Sequence, residues 1–478
     1  MKFPAIAQLR TREDFQQHLN SLPTTFSFEL AREFNPNAFL KALRLNNGFQ
    51  IGNRFCIHPM EGWDGTEEGR PTEHTFRRWR NFGKSGAKLI WGGEAVAVMH
   101  EGRANPNQLM LNEYTYVEIK NLFDELKTAH RKAGYSIQDL YVGLQLTHSG
   151  RFARPNIKSK LEPKILYHHP YLDEKFGISP DYPVLSDVEI EDIIQHFIET
   201  AILAEKIGFD FVDVKHCHGY LGHEFLTARE PNGKYRGSFE NRTLFLREIV
   251  HGIRKHTTLD IGVRLSGFDL IAFRPSQDTQ IGEPVGANNY PQPFGASQND
   301  FLKVNLIETK QFLKLLCDLD IQLVNITAGS PYYNPHIQRP AMFPPSDGYK
   351  PPEDPLVGVI RQINAVAELK RSFPELLFVG TGYTYLQEWL PIVAQSALQS
   401  HTVDFIGLGR MVLSYPEYPS ELFNGKSPDK RKLCRTFSDC TTAPRCGLIS
   451  GCYPLDHYYK DLPEYVELKN KKKPSNNQ

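Results

Sequence analysis

No stretch of 18 uninterrupted apolar residues occurs in the sequence, so no membrane-spanning helix is expected. A surplus of charge is absent as well. Fifty-five Lys and Arg face 55 Asp and Glu, leaving no overall field to recruit nucleic acid or an anionic membrane. The apolar stretch before Arg10 is too short for a secretory signal, and the protein is expected to be cytoplasmic. Cysteine is scarce and odd in number: seven residues (56, 217, 317, 434, 440, 446 and 452), thinly spread and then crowded near the end, which excludes a secreted disulfide framework. No internal repeat or extended low-complexity segment is found. The basic run Lys471 to Lys473 sits in a polar tail and reads as solvated. These exclusions leave a small-molecule substrate as the expected partner, with homo-oligomerisation open.

What is present is a periodic alternation. From about residue 51, short β-branched or apolar runs alternate with longer helical patterns, the signal of repeated βα units and a parallel sheet. Eight such runs are found, at 52–58, 88–96, 141–148, 209–216, 260–265, 322–327, 376–380 and 403–407. The helical segment DVEIEDIIQHFIETAILAEKIG shows apolar spacing near 3.6, with Asp187 able to cap its start and Gly208 to end it. Eight strands with helices between them favour a (β/α)8 TIM barrel of the α/β class, although periodicity alone leaves an open, doubly wound sheet in play. The expected organisation is a barrel over 1–430, with a lead-in that plugs its bottom, and a cysteine-bearing extension over 431–478. Two long connections, 149–186 and 267–305, follow strands and so belong on the face where barrel active sites are built; each is expected to be a functional lid or locally disordered.

Four groups of residues carry chemical potential. The first strand ends in His58-Pro59-Met60, which can present an apolar side chain to a planar ligand or simply end a strand at proline. The third ends in Gln145-Leu146-Thr147-His148-Ser149-Gly150-Arg151, with Gln145 and Thr147 on one face. The fourth ends in Lys215-His216-Cys217-His218-Gly219-Tyr220, a concentration of hydrogen-bond donors followed by Gly237-Ser238-Phe239-Glu240-Asn241-Arg242. His216-x-His218 also has the form of a metal pair, but no third ligand accompanies it at suitable spacing, and no metal is expected there. The last group is Arg264 with Gly380-Thr381-Gly382 and Gly407-Leu408-Gly409-Arg410. Glycines after strands seven and eight let backbone N–H groups approach a phosphate.

Taken in order over about residues 50–415, these motifs (PM, QLxHxGR, HGYL, GSxENR, VR, GTG, GxGR) resemble the Old Yellow Enzyme family of NAD(P)H:flavin oxidoreductases. They are most like its longer branch related to 2,4-dienoyl-CoA reductase. The resemblance implies non-covalent FMN at the barrel mouth. It further implies that Pro59 and Met60 pack near the isoalloxazine, that Gln145 and Arg264 bond its pyrimidine side, and that Gly382, Gly409 and Arg410 hold its phosphate. His218 would grip a substrate carbonyl and Tyr220 would donate a proton.

Four departures from the family pattern stand out. Lys215 replaces the first histidine of the carbonyl-binding pair, and two roles are open for it: a cation for the oxyanion of a developing enolate, or a structural ion pair with Asp213. Glu61 stands where relatives often place a hydroxyl or thiol near the flavin; it either faces the cofactor or points into solvent. Longer relatives carry a [4Fe-4S] cluster on closely spaced cysteines, whereas here Cys434, Cys440, Cys446 and Cys452 are separated by five residues each, so that a cluster and free thiols both remain readings. The residues after Arg410 are too few for the branch's nucleotide-binding domain. The expected activity is therefore an ene-reductase type NAD(P)H:flavin oxidoreductase, with NADH or NADPH as reductant and an α,β-unsaturated carbonyl compound as acceptor. The carbonyl oxygen would be held by His218, with Lys215 or His216. Alternatives are an iron–sulfur flavoprotein dehydrogenase or demethylase on the same barrel, and a flavin-binding protein without turnover.

Overall fold

A computed structural model describes residues 3–472. Lys473, the last residue of the basic run, lies outside them.

Eight parallel strands close into a barrel: β1 (Phe55–Ile57), β2 (Leu89–Ile90), β3 (Tyr141–Thr147), β4 (Phe211–Val214), β5 (Asp260–Phe268), β6 (Leu323–Ala328), β7 (Leu377–Gly380) and β8 (Phe405–Leu408). Closure is made where β8 pairs with β1, Ile406 opposite Phe55, and where β2 pairs with β3, Leu89 opposite Tyr141. Every strand is buried along nearly its whole length, which is why the sequence shows near-continuous apolar runs there. Helices α1 (Glu73–Lys84), α2 (Tyr116–Lys132), α3 (Asp187–Ile207), α4 (Leu244–His256), α5 (Ile307–Asp318), α6 (Pro355–Ser372), α7 (Leu390–Gln399) and α8 (Arg410–Ser414) follow the strands. The cap of α3 differs from expectation. Ser186, not Asp187, is the N-cap: its hydroxyl accepts from Glu189 N–H while the Glu189 carboxylate accepts from Ser186 N–H. Asp187 instead accepts from Lys234 N–H at 2.9 Å. Gly208 ends the helix as expected.

The period of two along the strands divides the barrel interior into layers. At the bottom Leu89, Trp91, Tyr141, Phe211, Leu323, Leu377 and Phe405 form an apolar plug, into which a hairpin of Leu43–Arg44 and Gln50–Ile51 inserts Leu43 and Ile51. Gly143 belongs to this layer because Phe211 fills its place: a Cβ there would lie 2.3 Å from the Phe211 ring. Burial of side chains such as Phe211 and Leu323 stabilises the plug by about 1.5–3 kcal/mol each. One step up, the inward positions turn polar: Gln145 on β3, Asp213 on β4, Arg264 on β5 and Asn325 on β6 are all buried. The outward positions Leu144, Leu146, Val212, Val214, Val263, Leu265, Val324 and Ile326 join the large core beneath the helices.

Both long connections are ordered. Residues 149–186 contain the helix Pro170–Phe176, and 267–305 fold into two hairpins, Phe273–Pro275 with Gly282–Pro284 and Ala296–Ser297 with Asp300–Val304. With a third connection after β6 they build an aromatic cluster over the mouth that includes Phe152, Tyr220, Tyr290 and Tyr333. The C-terminal segment has a small core of its own, Ala443, Tyr453, Tyr459 and Leu468. Lys471 and Lys472 are exposed, as the polar tail suggested, and each also makes a contact: Lys471 donates to the Cys446 carbonyl at 2.7 Å and Lys472 pairs with Asp439 at 2.5 Å.

Candidate active site

The polar layer opens into a solvent-connected cavity at the C-terminal mouth of the barrel. Pro59, Met60, Gln145, Lys215, His218, Tyr220, Arg264, Gly382, Gly409 and Arg410 all line it. Residues far apart in sequence meet here because they come from the barrel strands and the loops that follow them.

Lys215 does not pair with Asp213. Its ammonium sits 2.5 Å from Glu61 Oε1, and side-chain exposures of 3% and 13% make this a buried pair. Asp213 is already engaged, accepting from Trp91 Nε1 at 2.8 Å, Gln145 Nε2 at 2.5 Å and Arg264 N–H at 2.6 Å. Burial nevertheless raises Asp213 to about 6, against those bonds. Glu61 therefore turns inward, not into solvent. Its other oxygen accepts from Tyr220 OH at 3.0 Å and from Trp63 Nε1 at 3.1 Å. The Lys215 ammonium also lies over the Tyr220 ring, 3.8 Å from its centroid. Burial first, then the Glu61 charge, pushes the Tyr220 phenol well above its ordinary range, so it remains protonated. Tyr332 OH lies 3.0 Å from Tyr220 OH.

A second layer fixes Glu61 in place. Arg78 bonds Asp64 and Glu94, each at 2.6 Å, and Glu94 accepts from Gly62 N–H at 2.8 Å. A Cβ at Gly62 would meet the Arg78 guanidinium at 2.4 Å, so no larger residue fits beside Glu61 without displacing Arg78.

His218 lines the cavity with a left-handed backbone, φ 66°. That conformation is held by His218 N–H donating to Ser266 Oγ at 3.0 Å and by Ser330 Oγ donating to its carbonyl at 2.8 Å. Burial, Arg264 and Lys215 together keep the ring well below the usual histidine range, hence neutral. His216 faces the other way. It packs against Phe245 and Phe312 and bonds the Val214 carbonyl, which removes it from any role at the mouth.

At the β7–β8 side the cavity meets two guanidiniums. Arg410 donates to the Pro340 carbonyl at 3.2 Å and Arg339 to Thr441 Oγ1 at 2.5 Å, and each retains a buried nitrogen without a protein partner. Burial, then the like charge of Arg410, holds Arg339 below its usual range. Arg264 Nε, His58 Nε2 and Gln338 Oε1 are unpartnered in the same cavity. The space beside Gly409 is open, with Met60 Sδ 3.6 Å from the position of an added Cβ. Unpaired arginine donors converging on a cavity lined by Met60 fit a planar, phosphate-bearing cofactor.

Trp63, Tyr332, Gln338, Arg339 and the tail residues Thr441 and Arg445 also line the cavity, and sequence reasoning missed them; Cys440, a cluster candidate in the sequence, lines it too. The signal for the loop residues was their place after β1 (Trp63) or β6 (Tyr332, Gln338 and Arg339), on the active face. Cys434, Cys440 and Cys452 line a small neighbouring cavity walled by Arg410, and Cys446 does not. Among the described residues no group of three or more His, Cys, Asp or Glu is placed to hold a metal ion.

Fold and cavity thus define a barrel of the flavin-binding class. The chain belongs to the NADH:flavin oxidoreductase / NADH oxidase family, an FMN family, which it matches over residues 40–287. It is 25% identical over 401 residues to an NADH oxidase of Thermoanaerobacter brockii, covering 83% of this chain and 52% of that one. An NADPH dehydrogenase of Bacillus pumilus is 30% identical over 229 residues, 46% of this chain and 62% of that one. The chain thus spans between half and two thirds of these relatives. The old yellow enzyme homologue of Zymomonas mobilis shares the fold, with a TM-score of 0.54 at 21% identity over 81% of this chain and 92% of that one. Among the described residues no helix is long and apolar enough to cross a membrane.

Proposed function

We propose that this protein oxidises NADH or NADPH through FMN and reduces an alkene conjugated to a carbonyl group. The observation that carries the reading is the convergence of a buried, protonated tyrosine, a lysine–glutamate pair and a neutral histidine on the same cavity as the unpaired arginines. FMN, when bound, supplies a carrier that takes hydride from the nicotinamide and gives it to the β-carbon of the acceptor. Gly382, Gly409 and Arg410 would hold its phosphate, Pro59 and Met60 would pack on the ring system, and Gln145 and Arg264 would bond its pyrimidine side. One amide hydrogen of Gln145 is committed to Asp213, which leaves its carbonyl oxygen and its second N–H available to that edge.

The reductant and the acceptor occupy the mouth in turn. His218, neutral, and Lys215, its charge balanced by Glu61, bind the acceptor oxygen and stabilise the negative charge that develops there. Tyr220 protonates the α-carbon. Its hydrogen is oriented toward Glu61, so the transfer requires rotation about the C–O bond, and Tyr332 is placed to return a proton to the phenolate. Rapid mixing of Tyr220→Phe with reduced nicotinamide and then with an enone tests the assignment. Flavin reduction is expected to survive while alkene reduction slows. Equal retention of both steps would remove Tyr220 from the chemistry.

A further inference from the structure

The chain is neutral overall, yet its cations gather at one edge of the cavity mouth. Arg445, on the C-terminal segment, donates to the Pro331 carbonyl at 2.9 Å, and Lys175, on the loop after β3, donates to the next carbonyl, Tyr332, at 2.8 Å. Lys158, on the same loop, reaches the Gly447 carbonyl at 3.4 Å, and Arg154 lies close enough to act on the Tyr332 hydroxyl. Pro331, Tyr332 and Arg445 line the cavity itself, so Arg445 stands at its edge, with Lys175 beside it on the Tyr332 carbonyl and Lys158 behind it on the Gly447 carbonyl. Among the described residues the one carboxylate paired with any of the four is Asp347, at 2.6 Å from Arg445 and 56% exposed. Burial first, then the charge of Arg445, lowers Lys175 to about 8, with Asp347 opposing. Like charges held together on main-chain carbonyls, at a cost in stability, are a preformed seat for a polyanion.

We infer that Arg154, Lys158, Lys175 and Arg445 form a phosphate-binding rim that holds the phosphate-bearing arm of a reactant whose reactive end lies in the cavity. The inference rests on the proposed function for the identity of that reactant, and two sources share the chemistry: the diphosphate of the nicotinamide dinucleotide, or a phosphate carried by the acceptor. The nicotinamide dinucleotide is the source the proposed function requires in every turnover. The rim also gives the C-terminal segment a purpose, since Arg445 brings it against the loops after β3 and β6.

The test uses the holoenzyme and the double variant Arg154→Gln/Lys175→Gln, which alters no residue of the inner cavity. Calorimetric titration with inorganic pyrophosphate reads the rim directly. Roughly tenfold or greater weakening in the variant is expected from the loss of two charged contacts, with the wild-type affinity falling as salt is raised. Undetectable binding to the wild type, or equal binding to both proteins, overturns the rim. Stopped-flow bleaching then identifies the source. A rise of about tenfold in the apparent Kd for NADH or NADPH, with the response to phosphate-free 1-benzyl-1,4-dihydronicotinamide shifted less than twofold, assigns the rim to the reductant. If the loss appears with a phosphate-bearing enone and not with NADH or NADPH, the rim is retained and the acceptor is the source. An equal loss with the phosphate-free compound overturns it. Should wild-type flavin fail to bleach with any dihydronicotinamide, the proposed function falls, and the pyrophosphate titration still decides the rim.

Discussion

The Lys215 ammonium is bound to Glu61, 2.5 Å away and 154 residues earlier in the chain. The positive charge at the end of the fourth strand is therefore matched by a carboxylate from the loop after the first. Removing one partner leaves a buried charge uncompensated. Glu61→Gln is expected to lower unfolding free energy by about 3–5 kcal/mol. Glu61→Gln/Lys215→Met is expected to recover at least about 2 kcal/mol of that loss, a coupling read from denaturant unfolding of the four proteins in the cycle. Additive losses would mean that the pair is not an energetic unit.

Tyr220→Phe removes one oxygen and leaves the ring beneath Lys215. Reduction of flavin by NADH or NADPH is expected within about threefold of wild type, and enone reduction about 10²–10⁴-fold slower, the usual range for loss of a positioned acid. Single-turnover mixing of each half-reaction measures the split.

Arg410→Gln tests the phosphate end of the cofactor. Loss of a charged hydrogen bond of about 1.5–3 kcal/mol should weaken FMN binding by roughly ten- to a hundredfold. Riboflavin, which lacks the phosphate, should bind wild type and variant alike. Fluorescence titration of apoprotein compares the two ligands, and equal weakening of both would place Arg410 elsewhere on the cofactor.

Buried histidines set the acid limit of stability. Burial lowers His216 and His223 from the usual 6.5 to about 4. His216 faces Phe245, Phe312 and the Val214 carbonyl, and His223 accepts from Gly219 N–H at 2.8 Å; neither has a carboxylate to welcome a proton. With folded values depressed, the stability these groups confer is full above about pH 6.5 and is lost as pH falls through about 4. Each contributes on the order of 3 kcal/mol across that window. Denaturant unfolding at pH 7 and pH 4.5 should show the fall, and His223→Gln should reduce it.

The barrel was legible in the sequence because strands buried on both faces leave apolar runs with little else in them. The inward residues near each strand end were legible too, since a period of two needs no tertiary knowledge. The partner of Lys215 was not. Asp213 is two positions away and shares its face, but three donors already occupy it, and that competition exists only in the closed barrel. His216 failed as a site residue for a reason the sequence did carry: one position from Lys215, the period of two turns it toward the helices. Tyr332, Gln338 and Arg339 belong to a loop whose sequence carries no motif. Arg445 reaches the mouth because the C-terminal segment folds back, which composition does not encode.

Anaerobic addition of NADH or NADPH to the purified holoenzyme, followed by an enone, tests the central claim most directly. Bleaching of the yellow chromophore by at least one nucleotide, and return of the colour with stoichiometric saturation of the enone, is the expected result. A flavin that stays oxidised with both nucleotides, or one that bleaches and is reoxidised by no conjugated carbonyl compound, contradicts it.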